Sequence, residues 1–502
     1  MTRNFNIVKR VRKLVEPGEG LHQRTVRSGV WVFALKITDQ LFGLMRLIIL
    51  ARVLTPHDFG LIGLALLAMA TLHAFTTTGF PAALIQRKER TEEYLNVAWT
   101  IHIVRGLALS IILFFAAPYV AIFFDAPMAA PIVRVMGISV LLQGFSNVGV
   151  VYFEKELEFS KQFFYQLSGT LANFVVTVSA ALILRSVWAF VFGLLAAEIV
   201  RLIVSYFIHP YRPRFSLDWG KAKELFTFGK WILGATITQF LFDQGDDIFV
   251  GKLLSVTLLG FYQLAYRVSN TLTTELTSVF SQVAFPAYSK LQDNLPSLRE
   301  AYLKILHLTT FISIPVAAGI FVVAPEFTQI FLSEKWMPMV PALQMLALFG
   351  LLRSTSATTG GVFQGIGKPQ INTRWQLVRL GVLAVAIYPL TVRWGIMGTA
   401  LAVLLAQLVA IMGFSYMVIK VTECGWKSFS RLIALPLISA AIMVLLLYGL
   451  KATFLTNGIG HLLLLIVAGI TTYFGVTYLL DRFFNYGIRS LIKEILTSLS
   501  GS

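Results

Sequence analysis

The length of the apolar runs decides what this chain can fold into. They measure about 18 to 25 residues between short polar breaks, the length at which a helix crosses a hydrocarbon core ~30 Å thick. Hydrophobic residues make up 56% of the 502 and charged residues 13%, more apolar surface than a water-soluble chain of this size could hide. The expectation is an all-α integral membrane protein with about 14 transmembrane helices, at 29–50, 60–84, 95–123, 131–152, 163–184, 188–208, 228–250, 257–285, 302–324, 339–363, 375–392, 395–419, 431–450 and 461–480. The single cysteine, Cys424, excludes an intrachain disulfide and a cysteine metal cluster. The first 27 residues are basic and polar, with no cleavable signal.

The net charge of +17 could suit nucleic acid, but its distribution argues otherwise, and no nucleic-acid partner is expected. With the N-terminus inside, the inner segments hold 27 Lys and Arg, the outer segments six, and the spans the remaining nine of 42. Basic residues concentrate on the cytoplasmic side of a membrane, so both termini are expected to be cytoplasmic.

The chain also repeats. Residues 28–65 align without a gap on 228–265, with 11 of 38 positions identical, among them Gly29/Gly229, Trp31/Trp231, Thr38/Thr238, Phe42/Phe242 and Gly60/Gly260. The echo continues where Phe80-Pro81-Ala82 answers Phe285-Pro286-Ala287, and Ala117-Pro118 answers Ala324-Pro325. Six spans separate the copies, an even number, so they are expected to be parallel repeats about an axis along the membrane normal. The expected organisation is a cytoplasmic basic arm (1–27), an N-lobe of six helices (28–208), a cytoplasmic linker (209–227), a six-helix C-lobe (228–419), two extra helices (420–480) and a cytoplasmic tail (481–502). Two such lobes around a central cavity form the plan of a transporter that works by alternating access.

Ionisable residues inside spans mark functional candidates, because each costs about 2.5 to 3.5 kcal/mol to insert. Lys36, Asp39 and Arg46 share one face of the first span, with Arg46 about 10 Å further toward the outside. Lys36 and Asp39 either neutralise each other across one turn or serve function; the first alternative leaves Arg46 unexplained. Asp243, Asp246 and Asp247 share one side of the seventh span, and the repeat aligns Asp246 with Arg46. That cluster is either a coupling or gating element or a solvated helix end. Arg353 and Arg267 have no sequence-adjacent acid, whereas Glu198 and Arg201 read as a structural pair and His73 as a lone packing residue. His102, Arg105, Glu275 and Arg379 are further candidates. Lys36, Arg46, Arg267 and Arg353 together would make a cationic, substrate-binding cavity suited to an anion, since guanidinium binds phosphate oxygens in bidentate fashion. Asp39, Asp243, Asp246 and Asp247 are then the candidates for coupling, with H+ or Na+ as the ion, or for gating.

No Walker A motif, no zinc-protease motif and no long outer loop is present, so neither an ATPase nor an enzyme is expected, and no cofactor or metal. A membrane-embedded polymerase would want a long outer loop with paired Arg or His. A multidrug antiporter for organic cations would want an acidic cavity, and here buried bases at least match the acids.

Several motifs carry a resemblance: Gln86-Arg87-Lys88-Glu89, Lys155-Glu156-Leu157-Glu158-Phe159, Phe285-Pro286-Ala287 with Lys290-Leu291-Gln292-Asp293, Glu334-Lys335-Trp336, and Gly350-Leu351-Leu352-Arg353-Ser354. From about Ser28 to Arg431 the chain resembles bacterial polysaccharide exporters of the colanic-acid type, in the multidrug/oligosaccharidyl-lipid/polysaccharide exporter superfamily. The resemblance implies a fourteen-helix fold and movement of a lipid-linked oligosaccharide from the cytoplasmic to the periplasmic face of the bacterial inner membrane. It also implies an undecaprenyl pyrophosphate carrier, roles in lipopolysaccharide or exopolysaccharide export, and glycosyltransferases or a polymerase of the same pathway as partners. Of the favoured residues only Arg353 lies in a shared motif; Lys36, Arg46 and Arg267 rest on charge and position.

Overall fold

In the computed structural model the described residues are 21–76, 91–156, 158–453 and 458–484. Most of the basic arm, the Phe80-Pro81-Ala82 and Gln86–Glu89 motifs, Leu157 and the tail beyond 484 lie outside them, as do the side chains of Lys221, Lys223, Gly229, Trp231, Thr238, Glu275, Phe285, Pro286 and Ala287. The described residues form helices joined by short connections, with no strand among them. The long helices are α1 (Leu21–Val53), α2 (Pro56–Thr76), α3 (Thr91–Phe123), α4 (Ala129–Gly144), α5 (Phe159–Leu184), α6 (Trp188–Ile208), α7 (Trp219–Leu253), α8 (Val256–Lys290), α9 (Leu295–Phe327), α10 (Val340–Gly365), α11 (Pro369–Thr422), α12 (Trp426–Thr453) and α13 (Ile459–Phe484).

These helices account for every expected span. The eleventh and twelfth are the two limbs of α11, which reverses at Gly395, where φ is 58° and ψ −140°. Only glycine adopts that backbone without strain. The limbs then return so closely that a Cβ on Gly398 would sit 1.9 Å from the Leu390 carbonyl oxygen, and Thr391 bonds Thr399 hydroxyl to hydroxyl at 2.9 Å.

Nine helices among the described residues are long and apolar enough to cross a membrane, ten if α4 and the short helix after it, bent by 69°, form one span. The long helices outside that count are α1, α7 and α8, which carry Lys36, Asp39 and Arg46, the Asp243–Asp247 cluster, and Arg267.

The chain divides into two compact units, Met1–Gly260 and Phe261–Ser502. In the first, α1 packs on α5, α5 on α6, α3 on α4, and α2 on both α4 and α7. Trp31 meets Phe163 at 5.1 Å and Phe42 meets Phe174 at 5.2 Å, so α1 and α5 run parallel. In the second, α9 packs on α10 and α12, α10 on α11, and α12 on α13. Trp336, from the Glu334-Lys335-Trp336 motif, is fully buried with its ring 5.6 Å from Phe261. At the end of α12, Lys451 pairs with Glu326 of α9 at 2.7 Å.

The repeat shows in local chemistry. Thr55 caps α2 through a reciprocal box: its hydroxyl reaches Asp58 Oδ2 at 2.6 Å and accepts from the Asp58 N–H at 3.2 Å. Two hundred residues on, Ser255 Oγ accepts from the Leu258 N–H at 3.2 Å. In the first unit the two copies of this corner meet. A Cβ on Gly60 would lie 1.8 Å from the Val256 carbonyl oxygen, and one on Gly260 2.0 Å from that of Pro56. His57 Nδ1 lies 3.4 Å from Thr257 Oγ1. Residue i of one copy meets residue j of the other and j meets i, the mutual exchange of a twofold-related pair.

The segment after α6 is strapped to the same unit. Asn96 Oδ1 accepts from the Tyr211 hydroxyl at 2.5 Å and the Arg214 N–H at 2.8 Å, and Thr100 Oγ1 from the Ser216 N–H at 2.9 Å. Phe215 lies 5.0 Å from Trp99, and His209 stacks on Tyr152 at 5.8 Å. Burial, with Lys161 nearby, holds the His209 pKa below the usual imidazole range, which suits the Nδ1 that accepts from the Tyr211 N–H. Asn147, fully buried, caps the turn at Gly149 N–H and donates to the Tyr211 carbonyl at 2.7 Å. Asn147→Ala removes the cap and orphans that carbonyl, so a loss of about 2 kcal/mol is expected in equilibrium unfolding in detergent.

Candidate functional site

The charges of α1 are held by α5. Arg46 Nη1 donates to Asn173 Oδ1, which also accepts from Thr177 at 3.2 Å. Asp39 accepts from Thr170 Oγ1 at 2.7 Å. Lys36 is half-buried on the same helix and Asp39 exposed. Thr170, Asn173 and Thr177 fall three and four residues apart, one polar stripe on an otherwise apolar helix. That stripe was the readable signal for Asn173, which the charge survey passes over because amides carry no charge.

On α7, Asp243 accepts from Gln239 Nε2 at 2.6 Å, and Asp246 Oδ1 from the Asp247 N–H at 3.1 Å. Asp246 is 3% exposed, so it is not a solvated helix end; Asp243 and Asp247 are half-buried. A buried carboxylate is costly unless bonded, and the neighbouring N–H supplies part of that.

The first unit holds a further polar cluster. Arg105 of α3 reaches His73 Nδ1 of α2 at 3.1 Å and Thr76 Oγ1 at 3.2 Å, so His73 is no lone packing residue. Thirty-two residues separate the pair, which hides it from any inspection of neighbours along one helix. Glu198 and Arg201 do form the expected structural pair, at 2.8 Å. Arg201 packs so tightly across Gly169 that a Cβ there would meet its Nε at 2.3 Å.

In the second unit, Arg353 of α10 donates to the Tyr266 hydroxyl of α8 at 2.9 Å. One turn back on α10, the Phe349 ring lies tilted at 6.1 Å from the Tyr266 ring. Arg379 of α11, 8% exposed, lies 5.7 Å over Phe349. Two guanidiniums thus flank one aromatic pair, through cation–π contact and hydrogen bonding. Arg267 directly follows Tyr266 on α8, with an accessible side chain. The structure brings Arg353 together with Arg379 and Tyr266, partners set by how α8, α10 and α11 pack.

The same unit contains an apolar cavity of about 480 Å³ against α9, α12 and α13, with Pro315, Gly319, Met443, Leu465 and Gly469 in its wall. Val268 of α8 and Leu343 of α10 also line it, the helices that carry Tyr266 and Arg353. Among the described residues no group of three or more His, Cys, Asp or Glu could hold a metal ion.

The sequence profile of a family described as polysaccharide biosynthesis protein matches residues 49–341. The chain belongs to that family. It is similar to the lipopolysaccharide biosynthesis protein WzxC of Escherichia coli K12, 25% identical over 419 residues covering 83% of this chain and 85% of that protein. It is also similar to the succinoglycan biosynthesis transport protein ExoT of Rhizobium meliloti, 23% identical over 398 residues covering 79% and 80%. Among solved structures, the lipid II flippase MurJ in an inward closed conformation superposes with a TM-score of 0.72 over 91% of this chain and 99% of that one, at 14% identity. A multidrug resistance MATE transporter of the MOP superfamily follows at 0.61, over 78% and 98%, at 17% identity. This member of the polysaccharide biosynthesis family is therefore a multi-pass membrane protein with a transporter fold, and not an enzyme.

Proposed function

We propose that this polysaccharide biosynthesis protein is a flippase for lipid-linked oligosaccharide, carried on undecaprenyl pyrophosphate, in the bacterial inner membrane. The observation that carries the proposal is one unit in which a guanidinium–aromatic cluster and an apolar cavity share two helices, α8 and α10. Phosphoryl oxygens suit Arg353 and Arg379; a prenyl chain suits a wall without charge. Lys36, Arg46 and Arg267 add positive charge. Asp39, Asp243, Asp246 and Asp247 serve coupling to H+ or Na+ or gating, in a cycle of alternating access by the lobes 28–208 and 228–419. Both termini are cytoplasmic, and glycosyltransferases or a polymerase of the same pathway supply and consume the substrate.

The alternative, an organic-cation antiporter, shares the fold, but paired guanidiniums repel its substrate. A deletion strain decides. Lipid-linked oligosaccharide is expected to accumulate on the cytoplasmic leaflet while surface polysaccharide disappears. Normal surface polysaccharide, in a strain without a second exporter, overturns the proposal.

A further inference from the structure

The His73–Arg105 contact fixes a proton position. Arg105 Nη2 lies 3.1 Å from His73 Nδ1, and its Nε and Nη2 reach Thr76 Oγ1 at 3.3 and 3.2 Å. A guanidinium has donors only, so Nδ1 must accept. The imidazole is therefore neutral, with its proton on Nε2. The contact is also conditional on that state. A proton added at Nδ1 removes the acceptor and sets two cations about 3 Å apart, a repulsion that grows as water is excluded. The guanidinium then has to swing off His73.

The surroundings bear on this switch. On α3, His102 stands one turn before Arg105 and bonds the backbone of Gln143. From α4, which packs on α2, the ionisable residue is Arg134, engaged over the Phe114 ring at 5.2 Å. From α7, which also packs on α2, the described ionisable residues are Asp243, Asp246, Asp247 and Lys252, the last paired with Asp125 at 3.3 Å, and Phe240 of that helix lies 6.4 Å from Phe75. Gly106 and Gly144 let α3 and α4 approach until a Cβ on Gly106 would meet the Gly144 Cα at 3.1 Å, which holds Arg105 on a rigid helix pair. Arg105 is half-buried, so its guanidinium is not sealed inside the helix pair.

The geometry points to a proton-controlled anion site: neutral His73 occupies Arg105, and proton uptake at His73 Nδ1 frees the guanidinium to bind a phosphoryl oxygen. That the anion is a lipid headgroup rests on the flippase reading above. The chemistry of the site would serve a free phosphate ester equally.

The test uses the purified full-length protein in nanodiscs and two probes, a short-chain prenyl pyrophosphoryl sugar and the dimethyl diester of pyrophosphate. Both are diesters whose phosphates stay ionised, so any pH response belongs to the protein. Affinity is expected to rise about tenfold or more as the pH falls from about 8 to about 4.5, a range carried below that of a free imidazole because the neutral ring is the one that accepts from Arg105. His73→Leu, which cannot occupy Arg105, is expected to bind at the acid-form affinity at both pH values. His73→Gln keeps an acceptor for Arg105 at every pH and is expected to stay at the weak level, as is Arg105→Gln. A pH-independent wild type, or Leu and Gln variants that behave alike while eluting as monodisperse folded protein, overturns the inference. Response to the dimethyl diester without any binding of the prenyl sugar supports the site and overturns the flippase reading. Prenyl-sugar binding indifferent to pH and to both His73 variants does the reverse.

Discussion

Gly60→Val and Gly260→Val are each expected to cost about 3 kcal/mol or more, enough to abolish the folded protein in detergent extracts. The atoms a new Cβ would meet are the backbone carbonyl oxygens of Val256, at 1.8 Å, and Pro56, at 2.0 Å. A flexible side chain could turn away from such an overlap; the carbonyls of two first helical turns cannot, because α2 is pinned there by the Thr55–Asp58 cap. The two substitutions act on one mutual contact, so combining them should cost less than the sum of the singles. Gly245→Ala is the matched comparison. Nothing lies within 4 Å of its Cβ position, and alanine in that helix should gain about 0.5 to 1 kcal/mol. Thermal unfolding followed by size-exclusion fluorescence ranks the three; Gly60→Val as stable as Gly245→Ala would show that the helices do not meet there.

Arg353→Gln is expected to lower translocation about tenfold to a hundredfold while leaving expression intact. The guanidinium is hydrogen-bonded to Tyr266 at 2.9 Å and stands one turn from Phe349, which carries Arg379 over its ring. A charged hydrogen bond to a phosphoryl group contributes about 1.5 to 3 kcal/mol, the source of that factor. Arg353→Lys should restore little of it, because an ammonium lacks the planar fork that engages Tyr266 and a phosphate together. Tyr266→Phe should cost less than Arg353→Gln, since it removes the support of the guanidinium and not the charge. Uptake of labelled lipid-linked oligosaccharide into inverted vesicles measures all three. Wild-type uptake by Arg353→Gln would exclude Arg353 from the site.

Much of the scaffold was legible along the chain. The break between the spans 375–392 and 395–419 falls where α11 reverses at Gly395. The 200-residue repeat paired Gly60 with Gly260 before either was known to touch the opposite copy. The structural pairing of Glu198 with Arg201 followed from a spacing of three. The partners of the candidate charges were not legible. Arg46 is bound by Asn173, 127 residues away, and Arg353 by Tyr266, 87 residues away. Inspection of α2 alone made His73 a packing residue, because its partner Arg105 lies on the next helix.

Helicity, membrane insertion and duplication are all written along the chain, because insertion into lipid depends on runs of neighbouring residues whose contributions add locally. Which charges meet which partners is set by the folded arrangement of the helices. A hydrogen bond inside a membrane requires two particular faces of two helices at one depth, and that juxtaposition is set by the packing of α1 on α5, α2 on α3, and α10 against α8 and α11, which no single stretch of sequence contains.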